Sequence, residues 1–235
     1  HFIIHCDPPL QAGLNKRRII VKDYGPNDIR NVGLVSHQST GKSTLVEGML
    51  VAAGAITRLG TIDDGSTTSD YRPDEIDRKI SISAALMTID WKKNKFNLLD
   101  LPGYPDFIGE VHCALRVTDL TIVLVNGVSG VEVGTDLAWE ILEKNKGPRV
   151  LFINRLDKEH ANFSKVVAHA QEAYGFSAIP VQFPVKEGET FDAIIDLLTM
   201  KKLTFQADGS GKYKSEEIPA DLQGKAEEMR NALIE

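Results

Sequence analysis

Seven consecutive residues, LTIVLVN at positions 120–126, are almost continuously apolar. A strand with one wet face alternates polar and apolar side chains. A run like this one belongs to a strand covered on both faces, as in a parallel sheet flanked by helices. VGLVS at 32–36 and RVLFIN at 149–154 have the same character. Helical patterns fill the intervals. After Lys42, the side chains of Leu45, Val46, Met49, Leu50 and Ala53 share one helical face, and Gly54 closes the helix. Residues 105–117 turn Phe107, Ile108, Val111, Ala114 and Leu115 inward, and 133–143 and 163–174 are also helical, the last carrying Phe163, Val166, Val167 and Ala170. Residues 81–91 and 96–101 read as strands joined by a hairpin turn at Lys92-Lys93-Asn94-Lys95. The alternation predicts an α/β fold, a mostly parallel sheet with helices on both faces.

Two regions break the rhythm. Residues 57–79 are polar and longer than a typical connection, which marks a functional or mobile loop. Beyond about residue 179 short strand-like pieces at 181–185 and 202–205 flank a turn at Asp208-Gly209-Ser210-Gly211, and Pro219 opens an amphipathic helix with Leu222, Ala226, Met229 and Leu233. The expected organisation is an irregular leader at 1–20, a nucleotide-binding domain at 21–178 and a small α+β subdomain at 179–235. His1, His5, Cys6 and Asp7 could hold a metal, but no second ligand cluster stands at the usual spacing, and a leader is the simpler reading. Two cysteines in 235 residues make no disulfide framework and suit a reducing cytoplasm. No apolar run is long enough to cross a bilayer. A net charge of −6 argues against a free-standing DNA or RNA binder, though not against docking on a ribonucleoprotein through a local patch. A monomer is expected.

Three motifs stand at strand ends. SHQSTGKS, residues 36–43, ends like the phosphate loop G-x-x-x-x-G-K-[ST] but opens with Ser36. Between a buried strand and a helix, the backbone amides of His37, Gln38, Ser39, Thr40, Gly41, Lys42, Ser43 and Thr44 form an anion site. Lys42 would reach the β- and γ-phosphates, and the Ser43 hydroxyl would ligate Mg²⁺. A plain strand-turn-helix with a surface lysine is the blander alternative. The second motif is Asp100-Leu101-Pro102-Gly103. An acid at a strand tip can hold Mg²⁺ through water, and the Gly103 amide can sense a γ-phosphate. The third is Asn154-Arg155-Leu156-Asp157. A carboxylate there can accept two hydrogen bonds from guanine that adenine does not offer, so Asp157 would select GTP; a helix cap is the competing reading. In this order the three motifs point to a GTPase.

The stretch from Ile29 to Ile82 resembles the start of bacterial elongation factor G and, more closely, of the elongation factor G-like paralogues. NLLDLPGYPDFIGEV, ALRVTDLTIVLVNGVSGVEVGT and FINRLDKEHANF extend the resemblance, and the C-terminal part looks like the subdomain inserted in that factor's GTPase domain. It runs from about Val21 to Glu235. It implies a P-loop translational GTPase that uses GTP/GDP and Mg²⁺ and acts on the ribosome through ribosomal RNA and the stalk protein. Ser81 falls where the family has the switch threonine that closes over Mg²⁺. Asp100 and Gly103 match the second switch, and Asn154 and Asp157 the guanine-reading pair. The family's last nucleotide motif follows the inserted subdomain, whereas this chain stops inside that subdomain. Phe176-Ser177-Ala178 falls too early to be that motif, so truncation and weaker nucleotide affinity are expected.

Departures from the family qualify the catalytic expectation. Tyr104 stands where a histidine positions the attacking water, and a phenol cannot carry an imidazolium's positive charge. Ser39 replaces an aspartate, Lys79 a glycine and Arg155 the lysine of N-K-x-D, although a planar guanidinium can still pack over a purine. A GTP-binding regulatory module that scarcely hydrolyses is therefore the second expectation, and a ribosome-protection type GTPase the third. His37 could bond to a switch or simply pack; His112 and His160 should be solvated, and Trp91 and Trp139 should lie in the core or at a subdomain edge.

Overall fold

The computed structural model describes residues 23–175, 178–206 and 211–234. The expected leader with His1, His5, Cys6 and Asp7, the residues Phe176 and Ser177, and most of the turn expected at 208–211 lie outside them. A five-stranded sheet has the order β2-β3-β1-β4-β5, with β1 Ile29–Ser36, β2 Ala85–Trp91, β3 Asn94–Asp100, β4 Leu120–Asn126 and β5 Arg149–Asn154. All neighbours are parallel except β2, which pairs antiparallel with β3. The expected mostly parallel sheet is thus found. β4 sits inside it with Thr121, Val123, Leu124 and Val125 fully buried, as its unbroken apolar run requires.

Side chains alternate across the sheet and so build two layers. On one face α1 (Lys42–Ala52) brings Val46 and Leu50 against Val32 and Leu34 of β1, Met87 and Ile89 of β2, and Leu124 of β4. On the other, α3 (Ile108–Ala114) and α4 (Val133–Asn145) pack Val111, Ala138, Ile141 and Leu142 on Val35 and Val123. Each fully buried Val or Leu contributes about 1.5–3 kcal/mol. Besides these, α2 (Pro73–Arg78) lies in the long polar loop and α5 (Phe163–Tyr174) follows β5. The ring of Trp139 stacks on Tyr174 with centroids 4.0 Å apart, and the Arg149 guanidinium covers it at 4.2 Å, which ties α4, α5 and β5 together.

A second, antiparallel sheet joins β6 (Gln182–Pro184), β7 (Ala193–Asp196), β8 (Lys201–Phe205) and β9 (Tyr213–Glu216) in that order. The helix α6 (Ala220–Ile234) packs Ala226, with Leu222, Met229 and Leu233, against Phe183, Ile195 and Leu197.

Several boundaries differ from the sequence reading. The helix expected over 105–117 begins as a 3-10 turn at Pro105–Phe107 and ends at Ala114. The strand expected from Ser81 begins only at Ala85, because the amides of Ile82 and Ser83 bond to Glu75 and that of Ala84 to Glu110. The short α2 lies inside a stretch read as loop, and β7 and β9 are too short to show a period. Trp91 ends an edge strand and is exposed, not core. His112 and His160 are exposed as expected.

Trp91 pairs with Asn94, so β2 and β3 are joined by a two-residue turn in which Lys92 and Lys93 both have positive φ, +46° and +71°. Such turns favour Asn-Gly, and a lysine in this region is strained. Replacing Lys92-Lys93 by Asn-Gly should stabilise the fold by about 1 kcal/mol; an unchanged or lower midpoint in urea unfolding would contradict this.

Candidate nucleotide site

Because β1, β3, β4 and β5 are mutually parallel, their carboxyl ends share one rim, where ligands of open α/β sheets bind. Ser36 ends β1, Asp100 ends β3 and Asn154 ends β5. The three sequence motifs therefore leave the sheet on the same side.

The chain turns from β1 into α1 through Ser39 (φ +59°) and Gly41 (φ +95°). Gly41 is the N-cap of α1 and offers no side chain, so the first-turn amides receive no cap. A Cβ at Gly41 would meet Asn154 Nδ2 at 2.7 Å. That amide donates to Thr40 O at 2.8 Å and ties the third motif to the phosphate loop. His37 points away from the loop: its Nδ1 accepts from the Gly134 amide at 3.2 Å, and Nε2 lies 3.9 Å from Glu132. It therefore bonds to the start of α4 and not to a switch. Gln38 and Thr44 stay on the loop and the first turn of α1, Thr44 exposed.

Lys42 is 7% exposed, and its Nζ donates to Ser36 Oγ at 2.9 Å. Burial holds its pKa below the usual value, against the opposing pull of Asp100 and then Asp70. Asp100 is 1% exposed; burial raises its pKa, while Lys42 and the Ser43 hydroxyl favour the ionised form. Ser43 Oγ donates to Asp100 Oδ2 at 2.8 Å. Asp100 Oδ1 has no hydrogen-bond partner, and the Ser69 hydroxyl lies beside the carboxylate without hydrogen-bonding geometry. An orphaned buried carboxylate oxygen beside a hydroxyl is a hard-oxygen donor set and fits Mg²⁺, which takes few protein ligands and completes its shell with water and phosphate. Among the described residues no group of three or more His, Cys, Asp or Glu could hold a metal by itself.

Gly103 faces the loop so closely that a Cβ would meet Lys42 Nζ at 2.8 Å and the Gln38 amide nitrogen at 3.0 Å. Tyr104 is half-buried and lines a small pocket with Val35, Ser36, Ile108 and Gly134. Arg155 takes a left-handed backbone (φ +61°). The Asp157 side chain is 54% exposed and pairs with Lys158 at 3.0 Å, an exposed contact of small energy that a ligand can displace. Ser81 donates its hydroxyl to Asp70 Oδ1 at 2.7 Å. Asp70 in turn acts on Lys42 and Asp100 by its charge.

The sequence reading missed the residues that hold the 57–84 loop. Glu47 of α1 is buried, and its carboxylate accepts from Gly60 N at 2.8 Å and Thr68 N at 2.6 Å. Glu75 is also buried and accepts from Ile82 N, Ser83 N and, at 3.3 Å, Arg72 N. The signal in the sequence was an acid beside the apolar face of α1, three residues before Leu50. Asp70, buried between Thr67 and Ser81, was likewise unassigned.

The fold and this rim define a P-loop nucleotide-binding domain of the translational GTPase type. Residues 27–228 match the elongation factor Tu GTP binding domain, and the chain belongs to that family. The chain is 36% identical over 208 residues to elongation factor G of Granulibacter bethesdensis and, equally, to that of Gluconobacter oxydans. Those alignments cover 88% of this chain and 30% of each relative, so it spans less than a third of the length of the curated relatives it matches. A crystal structure of a Thermus thermophilus protein superposes with a TM-score of 0.81 at 30% identity, covering 87% of this chain and 30% of that one.

Glu47→Ala should destabilise the protein by about 3 kcal/mol, since two part-buried amides lose their charged acceptor and a cavity opens where the carboxylate was buried; a loss under about 0.5 kcal/mol in denaturant unfolding would refute the tether. Gly103→Ala should leave the fold intact yet weaken GDP binding at least tenfold in calorimetry, because the new methyl displaces Lys42 or the Gln38 backbone; undiminished affinity would contradict the packing.

Proposed function

We propose that this chain is the GTP-binding and GTP-hydrolysing domain of an elongation factor G-like protein, with Mg²⁺-dependent hydrolysis coupled to the ribosome in the full-length protein. The observation that carries the reading is the bond of Asn154 to the phosphate loop at 2.8 Å, which sets a base-reading motif beside a phosphate-reading one on a single rim.

In this reading the loop amides from His37 to Thr44 cradle the phosphates, and Lys42 adds a positive charge at the β- and γ-positions. Ser43 and Asp100 would hold Mg²⁺, with Ser81 a further candidate ligand from the 57–84 loop. Such an ion would supply positive charge against the phosphates. Gly103 presents its amide to the γ-phosphate. Asn154 and Asp157 read guanine, and Arg155 packs over the base. Hydrolysis in isolation is slow, on the order of 10⁻⁴ per second. The partners are ribosomal RNA and the stalk protein, met by a monomer in the cytoplasm. No helix among the described residues is long and apolar enough to cross a membrane.

A second reading, a GTP sensor that scarcely hydrolyses, is favoured by Tyr104, whose phenol cannot supply an imidazolium charge. Tyr104→His separates the two: ribosome-stimulated phosphate release rising more than tenfold in the variant supports the sensor, whereas strong stimulation of the parent removes it. Nucleotide choice is tested first. GDP should bind at least a hundredfold tighter than ADP, Asp157→Asn should collapse that ratio, and Asp100→Asn should abolish the dependence of GDP affinity on Mg²⁺. Equal affinity for GDP and ADP in the parent would end the guanine reading.

A further inference from the structure

Ser36 stands where the phosphate-loop pattern has glycine, and its side chain is not idle. It is 3% exposed. Its Oγ lies 2.9 Å from Lys42 Nζ and 2.6 Å from His37 O, and it also meets the Thr40 hydroxyl, which is itself 2.8 Å from His37 O. Two hydroxyl hydrogens thus serve three oxygens. If Ser36 donates to His37 O, Thr40 donates to Ser36; if Thr40 donates to the carbonyl, Ser36 donates to Thr40. In both arrangements Ser36 Oγ keeps a lone pair for the ammonium.

We propose that Ser36 is a positioning residue for the phosphate-binding lysine: its hydroxyl fixes the Lys42 ammonium over the loop, leaving the other two N–H groups for the β- and γ-phosphates. This inference rests on the nucleotide reading above. A lysine ammonium is a rotatable point charge on a flexible four-carbon stem, and orienting it before the ligand arrives lowers the entropy lost on binding. Asp100 and Asp70 attract the same ammonium by charge, but among the described residues only Ser36 accepts a hydrogen bond from it. Glycine at this position supplies no acceptor, and alanine supplies only a methyl group.

The test compares the full-length protein with its Ser36→Ala, Ser36→Gly and Ser36→Thr variants, titrated calorimetrically with GDP and with GMP in the presence of Mg²⁺. Ser36→Ala and Ser36→Gly should each weaken GDP five- to tenfold, and Ser36→Thr, which keeps the hydroxyl, should stay within twofold of the parent. GMP affinity should not change in any variant, because a lone α-phosphate lies short of Lys42. General damage to the loop would weaken GDP and GMP alike, and that result overturns the proposal. Parent-like GDP affinity in Ser36→Ala, or a Thr variant as weak as Ala, overturns it as well. A parent that binds GDP while Ser36→Ala behaves identically leaves the nucleotide reading standing and removes only this one. A parent that binds no guanine nucleotide removes both.

Discussion

A lysine ammonium almost closed off from water is the constraint around which this molecule is arranged. Left alone, such a charge would lose its proton or open the structure. Here the serine at the end of β1 accepts its hydrogen bond, and carboxylates from β3 and from the 57–84 loop supply opposite charge. Those groups come from three separate stretches of chain, and they meet only because β1 and β3 run side by side in the same direction. A phosphate ligand would find a cation already desolvated and already aimed.

The second organising feature is a pair of buried glutamates. Glu47 belongs to the helix that begins at the phosphate loop, and Glu75 belongs to the loop that carries Ser81. Each is itself buried and is satisfied by backbone amides of the loop. Together they hold a long polar segment close to the phosphate rim without an apolar core of its own. A segment fastened by a few charge-assisted bonds can be released by breaking those few bonds. That suits a region expected to respond to nucleotide.

The central strands and most helices were legible because their apolar patterns are long and regular. β4, β5 and α5 fall where the pattern puts them, but only β4 is buried on both faces; β5, read from its apolar run as equally covered, is an edge strand that leaves Val150 and Phe152 exposed. Misplaced boundaries have local causes. The early residues of the second strand were claimed by Glu75 and Glu110, and β7 and β9, four residues each, are too short for a period to show. The helix at Pro105 begins with a tighter turn that propensity alone does not reveal. Trp91 illustrates a different limit: a large aromatic residue reads as core or subdomain edge, but its place at the end of an edge strand leaves it in water.

By itself, the sequence determined the α/β class, the order of the strands along the chain and the three motifs at their ends, because periodicity and turn chemistry act over a few neighbouring residues. Only the tertiary structure decided that Asn154 grips the loop at Thr40, that His37 faces α4, that Ser36 holds Lys42, and that Glu47 and Glu75 anchor the polar loop. These contacts join residues whose partners are chosen by the parallel register and by the need to satisfy buried polar groups, and neither is written in any short stretch of the chain.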